Sequence, residues 1–152
     1  MRYLFLLIFF FNNLAYGQII VDSKNEYSTQ IDSALTLIRI YDPEAYALVD
    51  SVCFKISVWD RIYSSAEDSS IFISASDFKL NSINNIACAI VHESIHIYFE
   101  SCRKSCLCNV PDTHVAEEKY CYSYEYDFFK RLPMGEEWLK FHILKEIVRY
   151  SE

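Results

Sequence analysis

Glycine is almost missing from this chain. Its 152 residues include two, Gly17 and Gly135. A glycine-rich loop cradling phosphate is therefore excluded, and turns needing positive φ must fall on Asn, Asp or Ser. Positive charge is also short: 14 Lys and Arg stand against 21 Asp and Glu, a formal net charge of −7. An acidic chain without a basic stripe suits neither nucleic acid nor an anionic membrane surface, and nucleic-acid binding is set aside. No internal repeat, low-complexity tract or Pro/Gly/Ser linker divides the sequence, which supports one domain. A membrane-spanning run is lacking too. The apolar stretch Tyr3–Phe11 is cut short by Asn12 and Asn13, well under the ~20 residues a spanning helix needs.

That short run has another reading. Arg2 precedes it and Ala15-Tyr16-Gly17 closes it as a small-x-small cleavage site, the pattern of a secretory signal peptide. Residues 1–17 are expected to be removed. Residues 18–152 then form a single exported domain, secreted or periplasmic and free of the membrane, and losing Arg2 takes the charge from −7 to −8. No cysteine follows the cut, which argues against a lipoprotein. All six cysteines (Cys53, Cys88, Cys102, Cys106, Cys108, Cys121) lie in 18–152, an even count that suggests disulfides in an exported chain.

Periodicity gives the elements. Ile31, Leu35 and Ile38 at helical spacing after Ser28 or Thr29 predict a helix over 29–41, which Asp42-Pro43 ends, and "PEAYALVDS" follows as a short helix. Alternation in 52–60 and 69–76 predicts two strands, joined by a loose hairpin over 61–68. Asn81 or Ser82 then caps a helix over 83–102, a cysteine-rich loop follows, and a second helix over 113–132 ends at Pro133 and Gly135. In the last helix, Trp138, Phe141, Leu144 and Val148 are expected to pack. The fold class is α+β: an N-terminal helix, a small antiparallel sheet, then three helices.

The chemistry sits in "HESIH". His92 and His96 are one helical turn apart and project from one face, so two imidazoles can ligate one Zn²⁺. Glu93 lies about 100° around the helix, placed to act as general base without being a ligand. The plainer reading is a core helix packed through Ile86, Ile90, Ile97 and Phe99, with two incidental histidines. Crowding two imidazoles and a carboxylate costs free energy unless something organises them, which favours the metal.

A catalytic zinc takes a third protein ligand and keeps an open position. Six residues past His96 stands Cys102 rather than a histidine, so the next helix must supply the ligand, from Glu117, Glu118 or Glu125. This is the gluzincin arrangement. Glu118 is preferred because it shares the more apolar face with Cys121, Tyr122, Glu125 and Phe129, whereas Glu117 points with Tyr120 and Tyr124. "VHESIH" followed by Glu118-x-x-Cys121-x-x-x-Glu125 and Arg131-Leu132-Pro133 resembles a group of small exported bacterial HExxH zinc metallopeptidases of minimal gluzincin type. The resemblance spans Ile90–Pro133 and implies a zincin-like fold with zinc on His92, His96 and Glu118. Thermolysin-like gluzincins often carry Asp four residues past the ligand to brace a histidine; here that position is Tyr122.

The expected activity is zinc-dependent peptide hydrolysis, with Glu93 taking the proton of water and Tyr122, Tyr126 or His114 steadying the oxyanion. The substrate, a peptide or protein, would add as a strand beside Ile71–Ser74. So small a domain suggests that a partner protein completes the cleft. The alternative function is a catalytically idle zinc-binding or protein-interaction domain, for which Glu93 would have no use. The cysteines allow a structural zinc site from Cys102, Cys106, Cys108 and His114, but their spacing fits no common finger, and disulfides are favoured. Cys88, one turn before His92, reads as a buried or bridged cysteine, and His142 carries no role.

Overall fold

The computed structural model describes residues 19–22, 25–80, 82–105, 110–133 and 136–151. The expected signal peptide, Asn81, Cys106, Cys108 and Gly135 lie outside them. The described chain is α+β: β1 (Ile20–Asp22), α1 (Asn25–Tyr41), α2 (Pro43–Val52), β2 (Lys55–Trp59), β3 (Ser65–Glu67), β4 (Ser70–Ser74), α3 (Ala75–Lys79), α4 (Ile83–Ser105), α5 (His114–Phe129) and α6 (Glu137–Arg149). No helix among these residues is long and apolar enough to cross a membrane.

Helix α1 begins before Ser28 and Thr29, which therefore do not cap it, and it buries Ile31, Ala34 and Ile38 along one face. Asp42 then does two jobs. Its Oδ1 accepts from the Ala45 N–H at 3.0 Å, capping α2 with Pro43 in the first turn. Its Oδ2 meets Arg131 Nη1 at 2.6 Å, tying the start of α2 to the end of α5.

The expected antiparallel hairpin of β2 and β4 is not what forms. The sheet is mixed, ordered β1-β2-β4-β3, with β1, β2 and β4 parallel and β3 antiparallel to β4. The chain between Trp59 and Ser65 passes β4 to build the outer strand first, and the true hairpin is β3–β4. Its turn holds Asp68 at φ 51, one of the residue types to which the scarcity of glycine restricts such turns. Ile71–Ser74 is consequently interior, and the free edge on that side is Ser65–Glu67. Ile56, Ile71 and Ile73 are fully buried, packed toward the helices.

Helix α4 runs through the middle, packed against α1, α2, α5, β3 and β4. Ile86, Ile90, Ile97 and Phe99 are buried as expected, and the enclosure extends to His92 and Glu93, only 7% and 8% exposed. Ser82 caps it: the Asn85 N–H donates to Ser82 Oγ at 3.0 Å. Ser82 Oγ and Asn84 Nδ2 in turn donate to the two carboxylate oxygens of Glu136, at 2.8 and 3.0 Å, joining α4 to the residue before α6. Helix α6 turns a different face inward from the one expected. Leu139, Ile143 and Glu146 are buried, while Trp138, Phe141 and Val148 are exposed.

Candidate metal centre

Two antiparallel helices make the site. Contacts from His92 to Glu125, from His96 to Glu117 and from Arg103 to Glu117 run in opposite directions along α4 and α5. Thr113 starts α5 by accepting the Ala116 N–H at 3.2 Å, so the first two turns of that helix present their carboxylates to the middle of α4.

Both histidines are gripped from behind. His92 Nδ1 lies 2.9 Å from Glu125 Oε2, and His96 Nδ1 lies 2.8 Å from Glu117 Oε1. An ionised carboxylate can only accept, so each Nδ1 carries the proton and each Nε2 is left to face the other ring. The two Nε2 atoms are 3.2 Å apart. Glu118 straddles them, with Oε2 3.4 Å from His92 Nε2 and Oε1 3.4 Å from His96 Nε2. Tyr122 packs edge-on against His92 with ring centres 4.4 Å apart.

Charge organises the pair. Burial by itself would push the His92 imidazole down; hydrogen bonding to Glu118 and Glu125 and the charges of Glu125 and Glu93 override it and hold His92 well above its ordinary range. Burial, together with the charge of His92, pushes His96 down. The two shifts favour a proton on His92 over one on His96, and the place between the two Nε2 atoms is one that suits positive charge. Burial is also the main cause that lifts the Glu93 carboxyl to about 7; Glu118, Glu125 and Asp77 add to it and His92 opposes.

The expected residues divide as follows. His92, Glu93, His96, His114, Glu118 and Tyr122 all line one cleft of about 540 Å³. Glu125 is a buried brace on His92 rather than a lining residue, filling the bracing role that position 122 lacks. Glu117, read from the sequence as pointing away, is instead buried and braces His96. His114 is exposed at the rim, its Nε2 3.7 Å from Glu118 Oε1. Tyr126 stacks on Phe129 and packs against the core, away from the cleft. Tyr150 and Arg103, which carried no sequence signal, line the cleft too; Tyr150 stacks on Tyr122 with centres 5.8 Å apart. Ser64, Ser65 and Ala66 bring the β3 edge to the lining of the cleft.

His92, His96 and Cys121 form a possible metal-binding triad, their candidate donor atoms within 4.8 Å of one another. The Cys121 thiol, however, approaches His96 on the Nδ1 side at 3.8 Å, where Glu117 already sits. Burial, reinforced by Glu118, Glu93 and Glu125, pushes that thiol far up and disfavours a thiolate. The carboxylate of Glu118, by contrast, faces both Nε2 atoms. Cys53, Cys88 and Cys121 are free thiols. No protein-family model, curated protein or solved structure matches this chain.

Proposed function

We propose that this protein is a zinc-dependent peptide hydrolase in which His92, His96 and Glu118 hold the metal. The observation that carries the reading is the facing of the two Nε2 atoms at 3.2 Å, with Glu118 3.4 Å from each. A tetrahedral ion with bonds of about 2.0–2.1 Å separates its ligand atoms by about 3.3 Å, so the spacing suits such an ion. Two imidazoles and a carboxylate are also a donor set that zinc accepts, and carboxylate-braced histidines are the usual support for it.

When bound, the ion supplies Lewis acidity toward a water and a carbonyl oxygen. The remaining work falls to the chain. Glu93, in a buried wall crowded with carboxylates, is a stronger base than a solvated glutamate; it takes the proton of the attacking water and hands it to the leaving amine. Tyr122 and Tyr150 keep their phenolic protons, since burial pushes both up, and they can donate to developing negative charge. An extended peptide would pair with the β3 edge, Ser65–Glu67.

A broad peptide-cleavage screen on the zinc-loaded protein, read by mass spectrometry beside its Glu93→Gln variant, tests this. Cleavage by the parent alone supports it. Zinc bound with no cleavage by either protein would favour an idle zinc-binding domain.

A further inference from the structure

We propose that Arg103 is a positioning residue for His96, acting through the carboxylate of Glu117. Arg103 stands two helical turns past His96 on α4, close to the same face. Glu117, from α5, fits between them: its Oε1 meets His96 Nδ1 at 2.8 Å, and its Oε2 is ion-paired with Arg103 Nη2. One carboxylate is thus held by both of its oxygens, and its side chain is only 9% exposed.

The arrangement answers a problem of charge. Glu117 is buried next to Glu118 in a cleft that Glu93 also lines, and a buried carboxylate among others is costly unless a cation pairs with it. The guanidinium supplies that charge in a fixed planar fork, so it sets the direction of the carboxylate. Without it Glu117 has one anchor instead of two. The alternative partner for His96 Nδ1 is then the Cys121 sulfur at 3.8 Å, a weak acceptor. The His96 ring would turn or change tautomer, and its Nε2 would no longer present a lone pair toward His92.

The test begins on metal-free protein and so does not depend on the metal. With ¹⁵N-labelled histidine, the parent should show a slowly exchanging, downfield Nδ1–H on His96. Arg103→Ala and Glu117→Ala should both lose it while the His92 signal stays, and Arg103→Lys should restore it in part. A His96 Nδ1–H in Arg103→Ala as protected as in the parent overturns the proposal. If Arg103→Ala does not fold, Arg103→Gln, which keeps the stem, reads the same resonance. The second measurement, chelator competition, rests on the zinc reading: zinc affinity should fall about 10-fold or more in Arg103→Ala. A parent that binds no zinc, yet whose His96 signal responds to Arg103, would sink the zinc reading and leave this inference standing. Unchanged zinc affinity with an unchanged His96 signal would sink the inference alone.

Discussion

His92 and His96 point their Nε2 edges at each other, 3.2 Å apart. Two lone pairs do not settle at that distance without a positive charge between them. The braces behind them, Glu125 and Glu117, keep either ring from turning away. A proton on His92 is the charge favoured there, and a metal entering between the rings would have to displace it.

The donor set can be dissected by substitution. We expect one zinc per chain, abolished as a stoichiometric site by His96→Ala. Glu118→Ala should weaken binding at least about 100-fold, whereas Cys121→Ser should stay within a few-fold of the parent. Competition against a chromophoric chelator reads all three. The reverse ranking of Glu118 and Cys121 would transfer the third position to the thiol.

Glu93→Gln separates binding from catalysis. The amide keeps the size of the side chain but cannot take a proton from water, so zinc stoichiometry should hold while hydrolysis falls about 10²–10⁴-fold. Activity within a few-fold of the parent at matched zinc occupancy would show that Glu93 is not the base.

Asp42 is a stability element outside the site. Asp42→Ala removes the cap on α2 and leaves Arg131 without this carboxylate. A loss of about 1–3 kcal/mol in urea unfolding is expected. A change under a few tenths would mean that the cap and the ion pair are replaced by solvent at no cost.

Glu136 gives the fold a dependence on acid. Burial alone would raise its carboxyl, but hydrogen bonds from Asn84 and Ser82 outweigh it and hold Glu136 below its ordinary 4.5. A depressed folded value stabilises fully above the unfolded value and is lost as pH falls through the folded one. Glu136→Gln should therefore be less stable than the parent at neutral pH, with the gap closing below about pH 4. Urea titrations at several pH values test it; a gap that widens in acid contradicts it.

Cysteine oxidation is countable. With Cys53, Cys88 and Cys121 free, any intramolecular bridge must be drawn from Cys102, Cys106 and Cys108. Thiol titration of oxidised, unfolded protein should find four free thiols, and six would remove the disulfide.

Much of the site was legible because its signal is local. An i, i+4 histidine pair has to share a helix face, and the glutamate helix after a short loop had little choice but to fold back beside it. Glu117 was misread because neighbouring residues on a helix point about 100° apart. A histidine, however, offers nitrogens on two edges of its ring, so residues 117 and 118 can reach it from two sides. The sheet was misread because "SAE" at 65–67 has no strand signature of its own; it is a strand by pairing with β4, and its presence makes β2 and β4 parallel. In α6, Trp138-Phe141-Leu144-Val148 and Leu139-Ile143-Ile147 both repeat at helical spacing, and periodicity cannot say which one the core takes.

The residues of the candidate site come from two parts of the fold. His92, Glu93 and His96 belong to a helix enclosed on most sides, whereas Glu117, Glu118 and Glu125 belong to α5, which packs chiefly on α4 and α6. A metal bound between them would clasp α5 and α6 to the rest of the molecule. Release of such an ion would then require that pair of helices to lift, and the Asp42–Arg131 ion pair at the far end of α5 would be part of the latch.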